Sequence, residues 1–264
     1  MPVRTTLSLS TRQRAMLRAM GVPWLAPATP ADASGARPVP TPATVVPARS
    51  VASPSAPTAK PAHATGTVAP AAEYPPATSW AMHHEQVNAC RACDLAQHRA
   101  SVQVAQGDRN TARWLFVAAH PSAQADAQAL LPAAQQALWQ AMGQALGVPA
   151  EAMMLTTLTK CTPPSGHWPS PTHEQACQGH TRDTVALLQP DVVIALGAHV
   201  AKRLLQAPPE TTLGELRGRV HTYQGCALVV THALDALLTQ HADKAQAWDD
   251  LCLAHHACPP KIPA

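Results

Sequence analysis

Four cysteines in this sequence have spacings that suit a metal site. Cys90 and Cys93 form a CxxC pair, and Cys161 and Cys177 lie 16 positions apart farther along the chain. The two sulfurs of a CxxC turn can face one metal, and a strand end can meet the start of the next helix at the same point. In a reducing compartment thiols rarely form disulfides, so metal ligation is the leading use for a clustered set. The quartet predicts a metal centre held by thiolates.

Two kinds of metal group fit such a quartet. A structural zinc ion and a [4Fe-4S] cluster both accept four cysteine thiolates. Zinc ribbons usually bring two CxxC pairs, whereas the second pair here is wide, so the spacing favours the cluster slightly and leaves zinc open. The other thiols, Cys226, Cys252 and Cys258, have no comparable partners and are interpreted as spare cysteines.

The elements that must position these cysteines follow from the apolar pattern after Trp80. Short apolar runs predict buried strands that begin at Trp114, Met153, Val192 and Ala227. Amphipathic stretches predict helices over residues 135–146, 172–188, 198–205 and 243–255, with Thr172 and Glu174 suited to a helix start. This alternation predicts an α/β fold, a three-layer α/β/α sandwich around a mainly parallel four-stranded sheet.

Chemistry in such a fold is expected where the strands end. Ligands of parallel α/β sheets gather at the carboxyl ends of the strands. Residues 118–122, 157–164 and 231–235 follow three of the predicted strands, so we expect the functional groups there. His120 and His199 are interpreted as single histidines without a positioned partner, which makes them poor catalysts.

The amino-terminal third differs in composition from the rest. Residues 1–24 place apolar side chains at helical spacing and predict a short helix, and residues 25–79 are rich in Ala and Pro and predict a disordered linker. Residues 80–258 form the predicted folded domain, and residues 259–264 a tail. The helix and linker offer a docking segment for a protein partner, as an alternative to a plain spacer.

Charge and hydropathy narrow the class of protein. The net charge of +3 permits contact with a polyanion but is too small to indicate nucleic-acid binding by itself. No stretch approaches the ~18 consecutive apolar residues of a membrane helix, and the N-terminus lacks an apolar run of signal-peptide type. We expect a cytoplasmic monomer without a membrane role.

Several segments, taken in order, resemble one family. The runs CRACDL, LTTLTKCTPP, PTHEQACQGH and DVVIALGAHVAKRLL are similar to those of family 4 uracil-DNA glycosylases over nearly all of residues 80–255. The KCxPP element at 160–164, together with the CxxC pair and Cys177, is the most specific part. The resemblance implies a uracil-DNA glycosylase-like fold, DNA as a partner, and a structural [4Fe-4S] cluster on Cys90, Cys93, Cys161 and Cys177. It also implies base-excision repair, in which the N-glycosidic bond of a flipped base is hydrolysed.

The motifs that this resemblance assigns to base recognition are altered. The first motif keeps only Pro121, and Asp126 stands where the family's downstream acidic residue falls. Leu131 lies where the stacking aromatic is expected, and Thr157 replaces the asparagine that reads the edge of uracil. A hydroxyl can satisfy one atom of that edge but not the paired contact that an amide makes.

The last motif is also altered. Ala233 falls on the position of the family's catalytic histidine, and His232 comes one residue early. Neighbouring residues of an extended segment point to opposite sides, so His232 can act only if the loop carries a bulge. Lys160, Arg217 and Arg219 are candidate phosphate contacts. Two functions follow as hypotheses: a DNA N-glycosylase, or a non-catalytic [4Fe-4S]-stabilised module that binds DNA or protein.

Overall fold

A computed structural model describes residues 75–99, 102–125, 129–164 and 167–258 of the 264-residue chain. The helix predicted at 1–24, nearly all of the linker predicted at 25–79, and the tail at 259–264 lie outside these residues. Asp126, a candidate functional residue, also lies outside them.

The described chain alternates helices and strands. The strands are β1 (Ala105–Gly107), β2 (Trp114–Ala118), β3 (Met153–Thr157), β4 (Val192–Leu196), β5 (Val220–Tyr223) and β6 (Cys226–Thr231). The helices are α1 (Trp80–Ala89), α2 (Leu95–His98), α3 (Ala133–Leu146), α4 (Pro171–Leu188), α5 (Ala198–Leu205), α6 (Leu213–Leu216), α7 (Leu234–Thr239) and α8 (Asp243–Ala257).

All six strands form one mixed sheet in the order β1-β3-β2-β4-β6-β5. The centre is parallel, with Phe116 of β2 opposite Leu155 of β3 on one side and Ile194 of β4 on the other. The four predicted strands are confirmed as this parallel centre. The antiparallel edge strands β1 and β5 were not predicted, because β1 has three residues and β5 is largely exposed, so neither leaves an apolar run.

Helices cover both faces of the sheet. Side chains alternate along β2, so Phe116 packs in a core with α3 and α8 while Leu115 packs in a second core with α4 and α5. The central strands β2, β3 and β4 are buried at every residue. The predicted three-layer α/β/α sandwich is therefore confirmed.

The observed helix bounds agree closely with the predicted ones, and the main correction concerns the residue that caps the start of α4. Ser170 caps α4, since its hydroxyl accepts from the backbone N–H of His173 and the His173 ring accepts from the backbone N–H of Ser170. Thr172 therefore lies within the first turn and is not the cap. The α5 bounds match the prediction, and α3 and α8 differ from it by two residues at one end. No helix within the described ranges is long and apolar enough to cross a bilayer.

Candidate functional site

The fold brings the four cysteines to one place. Cys90 ends α1, Cys93 lies in the turn before α2, Cys161 follows β3, and Cys177 lies within α4. Burial is the main cause that raises the pKa of Cys177 and Cys93. Neighbouring thiols add to it, Cys93 and Cys161 at Cys177, and Cys161 and Cys90 at Cys93, so the sulfurs are close enough to affect one another. Three of the four residues are buried and Cys93 is partly buried. The sequence-predicted quartet is thus assembled from four separate points of the chain.

The electrostatics of this cysteine centre suit a group that carries positive charge. Burial raises the pKa of the Cys177 thiol to about 12, and also raises the pKa of Cys93 and Cys161. Thiolates are therefore disfavoured by burial and require a cationic metal group to form. A guanidinium also assists, since Arg99 Nη1 donates to Cys161 Sγ at 3.5 Å and to Val87 O at 2.9 Å.

The distances between the cysteine sulfurs help to distinguish a zinc ion from an iron-sulfur cluster. Among the described residues, three possible metal-ligating side chains lie within 4.8 Å of one another, and they belong to His83, His180 and Asp183. No three cysteine sulfurs of the described residues are that close together. Four thiolates on one zinc ion lie about 3.8 Å apart, given Zn–S bonds of about 2.3 Å. A four-iron cluster takes one thiolate on each iron and accepts a wider set. Four cysteine thiols are donors that a cluster accepts, and the sulfurs are spread more widely than the ligands of one zinc ion would be.

Lys160, a candidate phosphate contact, is buried instead. Its side chain is 1% exposed. Nζ donates to Thr156 Oγ1 at 2.7 Å and to the Thr157 carbonyl at 2.6 Å. Burial lowers the pKa of this ammonium to about 7. Lys160 thus holds the chain between β3 and Cys161, and the phosphate role is corrected because the group does not reach solvent.

A cleft of about 380 Å³ opens at the carboxyl ends of β2, β4 and β6. Segments 118–122 and 231–235 contribute to its walls, as expected from the strand ends, together with the loop before α4. Leu131 lines the cleft, in the region where the resemblance expects a stacking aromatic. Thr157 is fully buried, and its hydroxyl donates to the Thr159 carbonyl at 2.7 Å. The base-reading position therefore faces the protein interior in this structure.

His199, at the first turn of α5, has a partner that the sequence did not indicate. Its Nε2 contacts the carboxylate of Glu174, which is 4% exposed. Arg203 Nε lies 2.8 Å from the other carboxylate oxygen, although not in hydrogen-bonding alignment. The interpretation of His199 as a histidine without a positioned partner is therefore wrong. The end of β4 was also absent from the segments expected to carry chemistry, although His199 lines the cleft.

Trp168 stands at the mouth of the cleft. Its side chain is 63% exposed, and its ring contacts His120 edge-on with 4.8 Å between centroids. On another side it contacts His199 at 5.9 Å. The three rings form a row at the cleft. The sequence signal that could have drawn attention to Trp168 is a large aromatic within the polar, Pro-rich run SGHWPSP.

His232 and Ala233 face different surroundings at the end of β6. Ala233 lines the cleft, whereas His232 is buried with Nδ1 3.3 Å from Asp243 Oδ2 on α8. Its Nε2 is also buried and has no hydrogen-bond partner among the described residues. The residue that the resemblance aligns with the family's histidine, Ala233, thus lines the cleft, and the neighbouring histidine points towards α8.

Helix α8 also binds Arg217, one of the candidate phosphate contacts, through a carboxylate. Arg217 Nε donates to Asp250 Oδ2 at 2.6 Å, and Asp250 is 1% exposed. Asp243 and Asp250 are seven residues apart and share a face of α8, so one helix binds both His232 and Arg217. Arg217 is therefore corrected to a structural ion pair, whereas Arg219 is exposed. Asp126 remains a sequence prediction.

Two buried histidines, His83 of α1 and His180 of α4, lie beside the cysteine centre. His83 Nε2 is 3.1 Å from Thr184 Oγ1, and its Nδ1 is 4.0 Å from Asp183 Oδ2. Burial lowers the pKa of His83 to about 3 and that of His180 to about 4. Both rings are therefore neutral at physiological pH, and they tie α1 to α4.

Comparisons of this chain with a protein-family model and with individual known proteins all point to uracil-DNA glycosylases. Residues 104–252, more than half of the chain, match the model of the uracil DNA glycosylase superfamily. The type-4 uracil-DNA glycosylase of Thermotoga maritima is 30% identical over 115 residues, covering 43% of this chain and 59% of the relative. The type-4 uracil-DNA glycosylase of Pyrobaculum aerophilum is 27% identical over 178 residues, 64% of this chain and 90% of the relative. That of Saccharolobus solfataricus is 24% identical over 143 residues, 53% of this chain and 66% of the relative.

The match thus spans less than two thirds of the length of the Thermotoga and Saccharolobus relatives and most of the Pyrobaculum relative. The matched region contains the whole parallel centre of the sheet, Cys161, Cys177 and the cleft segments. The four cysteines lie near one another in this fold, and their assignment as metal ligands remains a prediction. The chain therefore belongs to the uracil DNA glycosylase superfamily, as a divergent relative of the type-4 uracil-DNA glycosylases.

Proposed function

We propose that this protein acts on DNA by receiving a flipped base in the cleft and hydrolysing its N-glycosidic bond. The observation that carries the proposal is the position of the cleft at the carboxyl ends of three parallel strands, with an anchored histidine in its wall. Small-molecule sites commonly have volumes of ~300–1,000 Å³, and the cleft holds about 380 Å³. The names of the matched relatives, type-4 uracil-DNA glycosylases, support the same reaction class.

The side chains of the cleft can supply parts of this reaction. Leu131 offers an apolar wall to the base, which is weaker than aromatic stacking at roughly 1–3 kcal/mol per base. A leaving base carries negative charge, and the imidazole of His199, oriented by Glu174, is a group able to stabilise it. The catalytic roles proposed for His232 and Asp126 rest on the resemblance alone, since His232 is buried and does not line the cleft, and Asp126 lies outside the described residues.

We further propose that Cys90, Cys93, Cys161 and Cys177 hold a [4Fe-4S] cluster. The mutual influence of the thiols, their burial and the Arg99 contact support a metal group at this place. The spread of the sulfurs and the resemblance favour a cluster over zinc. The cluster would link α1, the end of β3 and α4, which are separate points of the chain. We assign it a structural role, because none of the four cysteines is among the described residues that line the cleft.

A second function is favoured by one specific observation. Ala233 occupies the cleft wall at the family's histidine position, and His232 is turned to Asp243. A chain built in this way can bind DNA without cutting the glycosidic bond. The second candidate is therefore a cluster-stabilised module that binds DNA and has lost excision.

One preparation separates these functions. The protein is purified without air, its iron is counted, its visible absorption is recorded, and single-turnover excision is measured on a uracil-containing oligonucleotide. Iron with a broad visible band and excision supports the glycosylase. The same iron with DNA binding but no excision supports the binding module, and zinc in place of iron contradicts the cluster.

The variant Ala233→His tests the position of the missing group. We expect it to raise excision, because the new imidazole would enter the cleft wall where the family carries its histidine. Ala233→Gln is the matched control, since it adds a polar side chain that cannot become cationic. Thr157→Asn can be added, but Thr157 is fully buried and the larger amide must displace its neighbours. If Ala233→His and Ala233→Gln behave alike, the assignment of position 233 is wrong.

A further inference from the structure

A second groove adjoins the cleft and shares one residue with it. The groove has a volume of about 600 Å³ and lies between α4 and α5, and His199 lines both concavities. Its other walls carry Gln175, Gln178, Lys202 and Arg203 among their polar groups. A ligand that extends out of the cleft past His199 therefore enters a surface rich in cations and amides.

We propose that this groove binds the backbone of an unpaired DNA strand, and that Trp168 stacks on the nucleotide next to the flipped base. The inference rests on the proposed function, since it requires that DNA enters the cleft. It goes beyond that function by naming a single strand as the substrate class and by assigning its path.

The placement of Trp168 supports a stacking role. Of the described residues, Trp168 and Val220 are the large hydrophobic side chains that are strongly exposed, and of these two Trp168 lines this cleft. His120 and His199 contact its ring from two sides, so little side-chain freedom is lost when a base stacks on it. Every base offers a flat face to an aromatic ring, which makes this contact independent of sequence.

The charge of the groove suits phosphate. Glu174 is the only carboxylate among the described residues that line it, and His199 and Arg203 both contact that carboxylate. Lys202 Nζ donates to the Pro209 carbonyl at 2.6 Å, which uses one of the three ammonium donors. The remaining donors of Lys202, together with glutamine amides, match phosphate oxygens and base edges.

The stacking contact also discriminates between single and double strands. In an intact duplex both faces of an internal base are covered by its neighbours, and a face is uncovered only after a base has been unpaired and flipped out. A single strand offers a protruding tryptophan a base face without that cost. An unpaired strand therefore gains both the stacking contact and the phosphate contacts, whereas a duplex gains only the phosphate contacts.

The test measures binding of a fluorescein-labelled oligomer of thymidines, and of a labelled duplex, to the full chain purified without air. Trp168→Ala is expected to weaken single-strand binding about 10- to 100-fold and duplex binding much less, while Trp168→Phe keeps most of the affinity. Lys202→Gln is expected to lower the slope of log affinity against log salt by about 0.7. Arg113→Gln removes an exposed cation at the amino end of β2 and serves as the matched control, with no expected change.

The outcomes separate this inference from the proposed function. If the unaltered protein binds neither DNA, both fail. If it binds or cuts DNA but Trp168→Ala leaves single-strand affinity unchanged, the stacking inference alone is overturned. Equal loss on single and double strands likewise overturns the single-strand assignment. Melting temperatures of the variants exclude unfolding as the cause, since Trp168 is mostly exposed.

Discussion

The cysteine centre and the cleft are built on the same sheet but depart from the family pattern to different extents. In the cysteine centre all four expected residues are present, and packing encloses three of them completely. In the cleft, Leu131 and Ala233 occupy positions where the resemblance leads us to expect other side chains, and Glu174 pairs with His199. The difference shows that an open site can depart from the expected side chains while the sheet that carries it stays intact.

Helix α4 connects the two regions. Glu174 and Cys177 lie three residues apart on it, and the first contacts His199 at the cleft while the second joins the cysteines. The position of the His199 partner therefore depends on how firmly α4 is held at the cysteine centre. Variants that act on one region and spare the other test how independent the two regions are.

The largest effect is expected from Cys177→Ser. Loss of a buried ligand should release the iron and lower the free energy of unfolding by more than about 4 kcal/mol, because metal binding contributes directly to folding. Iron content and thermal unfolding of the purified protein measure this. Cys252→Ser on α8 is the control and should change neither quantity. Retention of iron and stability in Cys177→Ser would contradict the cluster assignment.

The second-largest loss of stability is expected from Arg217→Ala. It leaves the carboxylate of Asp250, which is 1% exposed, without its charged partner. Removing one member of a buried ion pair typically costs about 3–5 kcal/mol, so denaturant unfolding should report a large loss of stability. Arg219→Ala, at an exposed neighbouring cation, is the matched control and should leave stability nearly unchanged. A loss of DNA affinity at normal stability would instead restore Arg217 as a DNA contact.

A smaller loss of stability is expected when the pH is lowered, because the unfolded chain protonates the histidines that lie beside the cysteine centre in the fold. The folded pKa values of His83 and His180, about 3 and about 4, lie below the ordinary value of 6.5. The unfolded chain therefore binds more protons between these values, so stability falls as pH falls from about 6.5 towards 3. Each histidine should contribute a loss of roughly 2 kcal/mol at pH 5 relative to pH 7.5.

Denaturant unfolding at the two pH values measures this loss. His83→Gln keeps a polar group near Thr184 and should reduce the pH dependence, whereas His221→Gln, at a partly exposed histidine on β5, should not. Equal pH dependence in both variants would show that the buried histidine pair is not its source. The iron content must be followed at both pH values, because loss of the cluster would be a separate cause.

The smallest effect concerns the shape of the cleft and is expected from Gly197→Ala. Gly197 has φ +95°, and an added Cβ would lie 2.9 Å from the Cβ of Ala233. The strained backbone alone costs on the order of 1–3 kcal/mol. Gly225→Ala is the matched control, because that residue has φ +80° with open space around it. Any additional loss at Gly197, seen in thermal unfolding, measures the close approach of α5 to the end of β6.

Much of the fold could be predicted because its signals are local. The apolar runs of β2, β3, β4 and β6 and the spacing of α5 appear in the sequence within a few residues of one another. The edge strands could not be predicted, because their pairing partners, and not their own composition, make them strands. The cap of α4 at Ser170 was missed in favour of Thr172, since both are common cap residues and only the backbone geometry separates them.

The side chains of the site were predicted unevenly. Lys160 and Arg217 were expected at the surface because long cationic residues usually are, yet Thr156 and Asp250 hold them inside. Glu174 and His199 belong to different helices, so no local spacing could reveal that they meet.

The sequence by itself determined the four-stranded parallel centre, the helices between the strands and the identity of the four cysteines that assemble. These features depend on periodicities of two and 3.6 residues and on residue type. The tertiary structure alone decided that Ala233 faces the cleft, that His232 and Arg217 turn to α8, and that Trp168 stands exposed beside His199. The reason is physical: such contacts depend on how separate elements pack against the sheet, and packing is a property of the whole fold.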